Sequence, residues 1–258
     1  MTAAQQTGRA GAEVLVETSH ALPLVSFSVA LKTGSLLDPP GMSGATRMLT
    51  RWMRRTAGGR EAQVIDTEID ALGGAFGADV SPSTLVFQGT VITRSLDGLL
   101  RITADVLARP GFAEAELERL RRETLAELTE TLDDDRGLGR RWFRHRVFGE
   151  HPYARSVTGT ASSVARIQGD DLKALYRRIV RPDNLIFAFS GDIDRPRAEA
   201  LAAQLLAQLT PGPAPDDGID HPAVIPGRRL TLVDKPDRTQ TQILIGGLGT
   251  HPTDLDHL

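Results

Sequence analysis

Apolar and polar residues alternate over residues 24–33, with Val25, Phe27, Val29 and Leu31 on one side of the chain, and a shorter run of the same kind covers residues 13–17. A period of two puts every second side chain on one face, so both segments predict half-buried strands. Pro23 and Asp38-Pro39-Pro40-Gly41 punctuate them. The period then lengthens. Residues 42–55 and 61–72 predict helices, the second carrying Val64, Ile65, Ile69 and Leu72 at helical spacing before Gly73-Gly74 ends it. Residues 75–80 and 84–91 return to strand, and residues 95–108 predict a helix burying Leu96, Leu99, Leu100, Ile102 and Leu107, stopped by Pro110.

Residues 113–132 are rich in Glu, Leu, Arg and Ala without a breaker, which predicts a long helix with a charged outer face. A helix over 137–147 follows the acidic Asp133-Asp134-Asp135; a helix over 170–180, a strand over 184–190 and a helix over 195–209 complete a domain-sized unit. Residues 211–227 hold five prolines among polar residues, the composition of a linker. Residues 229–233 and 240–248 predict strands again, and Asp254 stands where a further helix would open. The expected organisation is a flexible N-terminus at 1–12, a domain at 13–210, the linker at 211–227, and the truncated start of a second, homologous domain at 228–258.

Composition narrows the function. The 258 residues are 40% hydrophobic and 24% charged, a soluble globular balance, and 30 basic against 33 acidic residues give a net charge of -3 with the signs interspersed. Such a chain has no field suited to nucleic acid. The absence of cysteine excludes disulfides, thiolate metal sites and a cysteine nucleophile. The start of the chain lacks the apolar core of a secretory signal, and no stretch approaches the ~18 apolar residues of a membrane span. Cytoplasmic residence is the expectation, with the periplasm open.

Particular residues add a resemblance. Leu22-Pro23-Leu24-Val25 leads into Lys32-Thr33-Gly34-Ser35 and Pro40-Gly41; Ile69-Asp70-Ala71-Leu72-Gly73-Gly74, His151-Pro152-Tyr153 and Arg181-Pro182-Asp183-Asn184 follow in order, and Thr239-Gln240-Thr241-Gln242 precedes an apolar run. From about Glu13 onward this series resembles the insulinase/pitrilysin metallopeptidase family, mitochondrial processing peptidases included. The resemblance implies an α+β, two-layer domain of the mitochondrial-processing-peptidase type, with a mixed, mostly antiparallel sheet and helices on one face.

In that family zinc is held by an inverted His-x-x-Glu-His on the helix after the first hairpin and by a Glu on the later long helix. Two histidines four apart share a helix face, and the intervening Glu serves as general base to the zinc-bound water. Here the corresponding residues are Gly44, Arg47 and Met48, with Glu127 as a remnant of the third ligand, and no histidine lies between His20 and His145. A guanidinium at 47 repels a cation and is placed to pair with Glu127. No catalytic or metal residue is therefore expected, and zinc is a cofactor of active relatives only. The resemblance implies a non-catalytic subunit that binds peptide or unfolded polypeptide for a catalytically active paralogue. A functional zinc metalloendopeptidase and a scaffold subunit of the respiratory core-protein type are the alternatives.

Other sites are read as structural. His145 and His151 bracket Glu150 across a Gly-containing turn at a spacing unsuited to one metal. His20, His221, His251 and His257 are expected to be solvated. Ser35 and Ser190 lack a nucleophile elbow, and Gly58-Gly59 and Gly246-Gly247 lack a phosphate-loop context. Trp52 and Met53 are expected in the core, and Arg51, Arg54, Arg55 and Arg60 on a solvated face that an acidic peptide would suit.

Overall fold

The computed structural model describes residues 12–249 except 217, 225 and 237. Strand β1 (Glu13–Thr18) and β2 (Leu24–Leu31) precede helix α1 (Ala45–Arg55), a two-residue hairpin β3 (Thr56–Ala57) and β4 (Arg60–Glu61), and helix α2 (Ala62–Ala71). Strands β5 (Ala75–Val80) and β6 (Leu85–Ile92) lead to α3 (Leu96–Ala108), the long α4 (Glu114–Glu130) and α5 (Asp135–Phe148). Helices α6 (Ala161–Arg166) and α7 (Gly169–Ile179), strand β7 (Leu185–Gly191) and helix α8 (Arg195–Leu206) follow.

The main sheet has the order β1-β7-β2-β6-β5; only the β1–β7 pair is parallel. The alternation in β2 is realised: Val25, Phe27, Val29 and Leu31 are buried, and Val29 lies between Phe87 of β6 and Phe187 of β7 in register. The helices cover that face, with Leu49, Trp52, Ile65, Leu99 and Leu107 fully buried in the shared core. The opposite face is polar, and Ser26, Gln88, Thr90 and Ser190 stand exposed on it. Strand β7 enters between β1 and β2, so residues 185–191 belong to the same sheet as the first hairpin. Strand β5 ends the sheet, paired among the described residues with β6 alone.

Several expectations need correction. Residues 229–233 and 240–248 form no strand among the described residues. Their apolar alternation meets no partner strand among the described residues, and Leu230, Leu232, Ile243 and Ile245 are largely exposed; a strand needs a neighbour to satisfy its backbone. The β3–β4 hairpin and α6 were not anticipated. Gly58 and Gly59 both take positive φ, 57° and 76°, as a two-residue hairpin turn requires. Residues 1–11, 250–258 and the helix expected from Asp254 lie outside the described residues. No helix among the described residues is long and apolar enough to cross a membrane.

Candidate functional site at the crossing of α1 and α4

Helix α1 starts from a constrained N-terminus. The buried Asp38 carboxylate accepts hydrogen bonds from the backbone N–H of Gly44 (2.7 Å) and of Thr46 (2.8 Å) and from the Thr46 hydroxyl (2.6 Å). It thus satisfies donors that the first turn of a helix leaves free. Burial nevertheless pushes the Asp38 pKa up to about 6 against the pull of these bonds. Gly44 sits at φ 96°, and a Cβ there would lie 2.8 Å from the carbonyl oxygen of Thr158. Position 44 is therefore closed to any side chain by both conformation and space.

One face of α1 carries Arg47, Arg51 and Arg55 at a spacing of four, which aligns them in a row. They meet glutamates of α4, which runs the other way. Arg47 Nη2 donates to Glu127 Oε1 at 2.7 Å; Arg51 reaches Glu127 Oε2 at 3.4 Å, Glu123 Oε2 at 3.2 Å and the Thr124 hydroxyl at 3.3 Å; Arg55 donates to Glu123 and lies 4.0 Å from Glu116. Both Glu127 oxygens are thereby engaged. Burial, together with neighbouring Arg47, holds the Arg51 pKa below its ordinary value. Met48 points away from this row into the core, where it is 1% exposed. Among the described residues no group of three or more His, Cys, Asp or Glu side chains is arranged to hold a metal ion.

The remaining sequence candidates have structural partners. Trp52 and Met53 are buried as expected, and the Trp52 indole donates to the Ala113 carbonyl at 2.9 Å. The face of Arg51, Arg54, Arg55 and Arg60 is not simply solvated: Arg54 pairs with Asp66 at 2.8 Å, and Arg60 bonds Glu68 and Asp105, tying the β3–β4 hairpin to α3. His151 accepts from the Tyr153 backbone N–H at 3.2 Å through Nδ1, which leaves Nε2 to donate to the Asp220 carbonyl at 2.7 Å. His20 is exposed but held, with Nδ1 2.6 Å from Asp192 Oδ1. Sequence reasoning missed Asp38, read only as turn punctuation; its signal was an acidic residue shortly upstream of a helix with no Ser, Thr, Asp or Asn at its first position.

The similarities to known proteins agree with this architecture. Residues 13–161 match the model of the Insulinase (Peptidase family M16) family, and residues 166–258 that of the Peptidase M16 inactive domain. This chain belongs to the insulinase M16 family. A relative from Rickettsia bellii, named an uncharacterized zinc protease, is 25% identical over 234 residues, 91% of this chain and 56% of its own length. Another, from Helicobacter pylori, is named the non-peptidase homolog YmxG and is 23% identical over 195 residues, 73% of this chain and 44% of its own. The crystal structure of a peptidase M16 inactive domain from Pseudomonas fluorescens superposes with a TM-score of 0.81 at 27% identity, over 86% of this chain and 54% of that one. The M16 chain thus spans about half the length of the relatives it matches.

Proposed function

We propose that this M16 chain is a non-catalytic subunit that binds extended peptide for a catalytically active paralogue carrying the zinc motif. The observation that carries the reading is the Arg47–Glu127 ion pair at the motif positions. The residues there do not fit zinc. A guanidinium stands where a general base would act, Met48 lies in the core, no side chain fits at Gly44, and the remaining carboxylate already holds two arginines. A lone carboxylate competing with two guanidinium groups retains no useful zinc affinity.

Peptide binding is inferred from the sheet. The outer edge of β5 offers backbone N–H and C=O groups that an extended chain can pair with, and Ala75, Ala78 and Asp79 are exposed along it. Strand β5 also packs against α1, the helix that bears the motif positions. Affinity purification of the full-length protein from its native cells, with mass spectrometry of its companions, tests the subunit reading. Recovery of a homologue with an intact His-x-x-Glu-His supports it. Recovery alone, or with unrelated proteins only, overturns it in favour of a scaffold role.

A further inference from the structure

Helix α5 breaks the pattern of paired charges found on α1. It carries five arginines, Arg136, Arg140, Arg141, Arg144 and Arg146, and one acidic residue, Asp135. None of the five is within ion-pair distance of a carboxylate among the described residues. The acids at the start of the helix are already engaged: Asp135 binds Lys235 at 2.6 Å and Arg238 at 3.4 Å, Asp133 binds Arg238 at 2.9 Å, and Asp134 accepts from the Gly137 N–H at 3.0 Å. Among the described residues, Arg141 has only a 3.4 Å bond to the Thr131 hydroxyl, and the buried Nε of Arg144 has no partner. Burial and the Arg141 charge both lower the Arg144 pKa. A buried donor without an acceptor, beside a second guanidinium, is costly unless an anion completes the arrangement.

The geometry suits a short ligand. Arg136, Arg140 and Arg144 are four residues apart, a stripe of about 12 Å along the helix, which matches about four residues of extended chain. The helix buries no residue of its own, and Trp142 stands 40% exposed beside the basic residues. We propose that α5 is an anion-recognising face that docks acidic stretches of a bound peptide. The inference rests on the peptide-binding reading for the nature of the ligand. A long polyanion fits less well, because the chain has a net charge of -3 and Asp133, Asp134 and Asp135 stand at the start of the helix.

The test uses the whole chain and fluorescence anisotropy with a short labelled peptide carrying a run of glutamates, beside its counterpart with glutamine at those positions. The glutamate peptide is expected to bind about tenfold tighter at low salt, with the preference shrinking as salt rises. Arg136→Gln/Arg140→Gln, exposed changes with little effect on helix propensity, should abolish the preference and leave the glutamine peptide's affinity unchanged. Arg144→Gln tests the half-buried end of the stripe. Equal, measurable binding of both peptides overturns this inference and leaves the peptide reading standing. Glutamate-peptide binding lost on the α5 changes but unaffected by Gly77→Pro on β5 upholds this inference and removes the edge-binding reading. No binding of either peptide removes both. Tighter binding of a single-stranded oligonucleotide or of anionic vesicles in the same assay also overturns it.

Discussion

Arg47 of α1 and Glu127 of α4 face each other at 2.7 Å, with side chains 25% and 40% exposed, at the point where the two helices cross. Arg51 shares the same carboxylate, so the contact belongs to a row of charges that fastens one helix to the other. Exposure and solvent screening keep each such pair small, and the row matters through its number of members.

A double-mutant cycle measures the pair. Arg47→Ala and Glu127→Ala should show a coupling of about 0.5–1 kcal/mol in urea unfolding. Glu127→Ala should cost more than Arg47→Ala, because it leaves Arg47 and Arg51 as neighbours with one counter-charge fewer. Additive effects of the two changes would mean that the contact does not bind α1 to α4.

Asp38 gives α1 a pH signature. Its pKa in the folded state, about 6, lies above the ordinary 3.8, so the folded chain holds this proton more tightly than the unfolded chain does. The contribution of this group is therefore fully present below the unfolded value and is lost as pH rises through the folded one. A shift of this size corresponds to about 3 kcal/mol. Other carboxylates titrate in the same range, so the useful quantity is the stability of the unaltered chain minus that of Asp38→Asn. That difference should fall by about 2–3 kcal/mol between pH of about 4 and about 6.5. A flat difference in urea midpoints would contradict the burial of an ionisable Asp38.

Gly44 and Gly59 separate steric closure from conformational cost. Both have positive φ, 96° and 76°, but a Cβ at Gly44 meets the Thr158 carbonyl at 2.8 Å while none of the described residues lies within 4 Å of one at Gly59. Gly59→Ala should cost about 1 kcal/mol and Gly44→Ala about 2–3 kcal/mol in thermal or urea unfolding. For the same reason the triple change Gly44→His/Arg47→Glu/Met48→His should fail to create zinc affinity; isothermal titration checks this directly.

Trp52 anchors α1 in the core. It is fully buried against Phe112, with ring centroids 4.7 Å apart, and its indole bonds the Ala113 carbonyl. Trp52→Ala should cost about 3–5 kcal/mol. Trp52→Phe should cost about 1–2 kcal/mol, chiefly from the space the smaller ring leaves, because the Ala113 carbonyl keeps the Glu116 and Leu117 N–H groups as partners. Near-wild-type stability of Trp52→Ala would contradict the packing described.

Much of the sheet was legible because periodicity reports burial. β5 falls on residues 75–80 as the pattern predicts, and β2 buries the four residues that its alternation marks. Residues 229–233 and 240–248 carry the same pattern without forming strands, since pairing is decided by a neighbour that local sequence does not reveal. At the helix crossing, the residue types at 44, 47, 48 and 127 were readable, and so was the opportunity for Arg47 to meet Glu127. The neutralisation of Arg51, Arg54, Arg55 and Arg60 and the lack of carboxylate partners on α5 were not readable. Charge spacing along one helix says nothing about which carboxylates another helix brings within reach. Asp38 was missed because its capping role depends on a chain reversal through two prolines.

Zinc content is the most direct measurement. The full chain should be loaded with zinc, dialysed, and analysed by metal mass spectrometry, with zinc titration calorimetry alongside and Glu127→Ala in parallel. The Arg47–Glu127 account predicts no stoichiometric zinc in either protein and no heat of specific binding. Stoichiometric zinc that disappears on Glu127→Ala would contradict it and return the chain to the metallopeptidases.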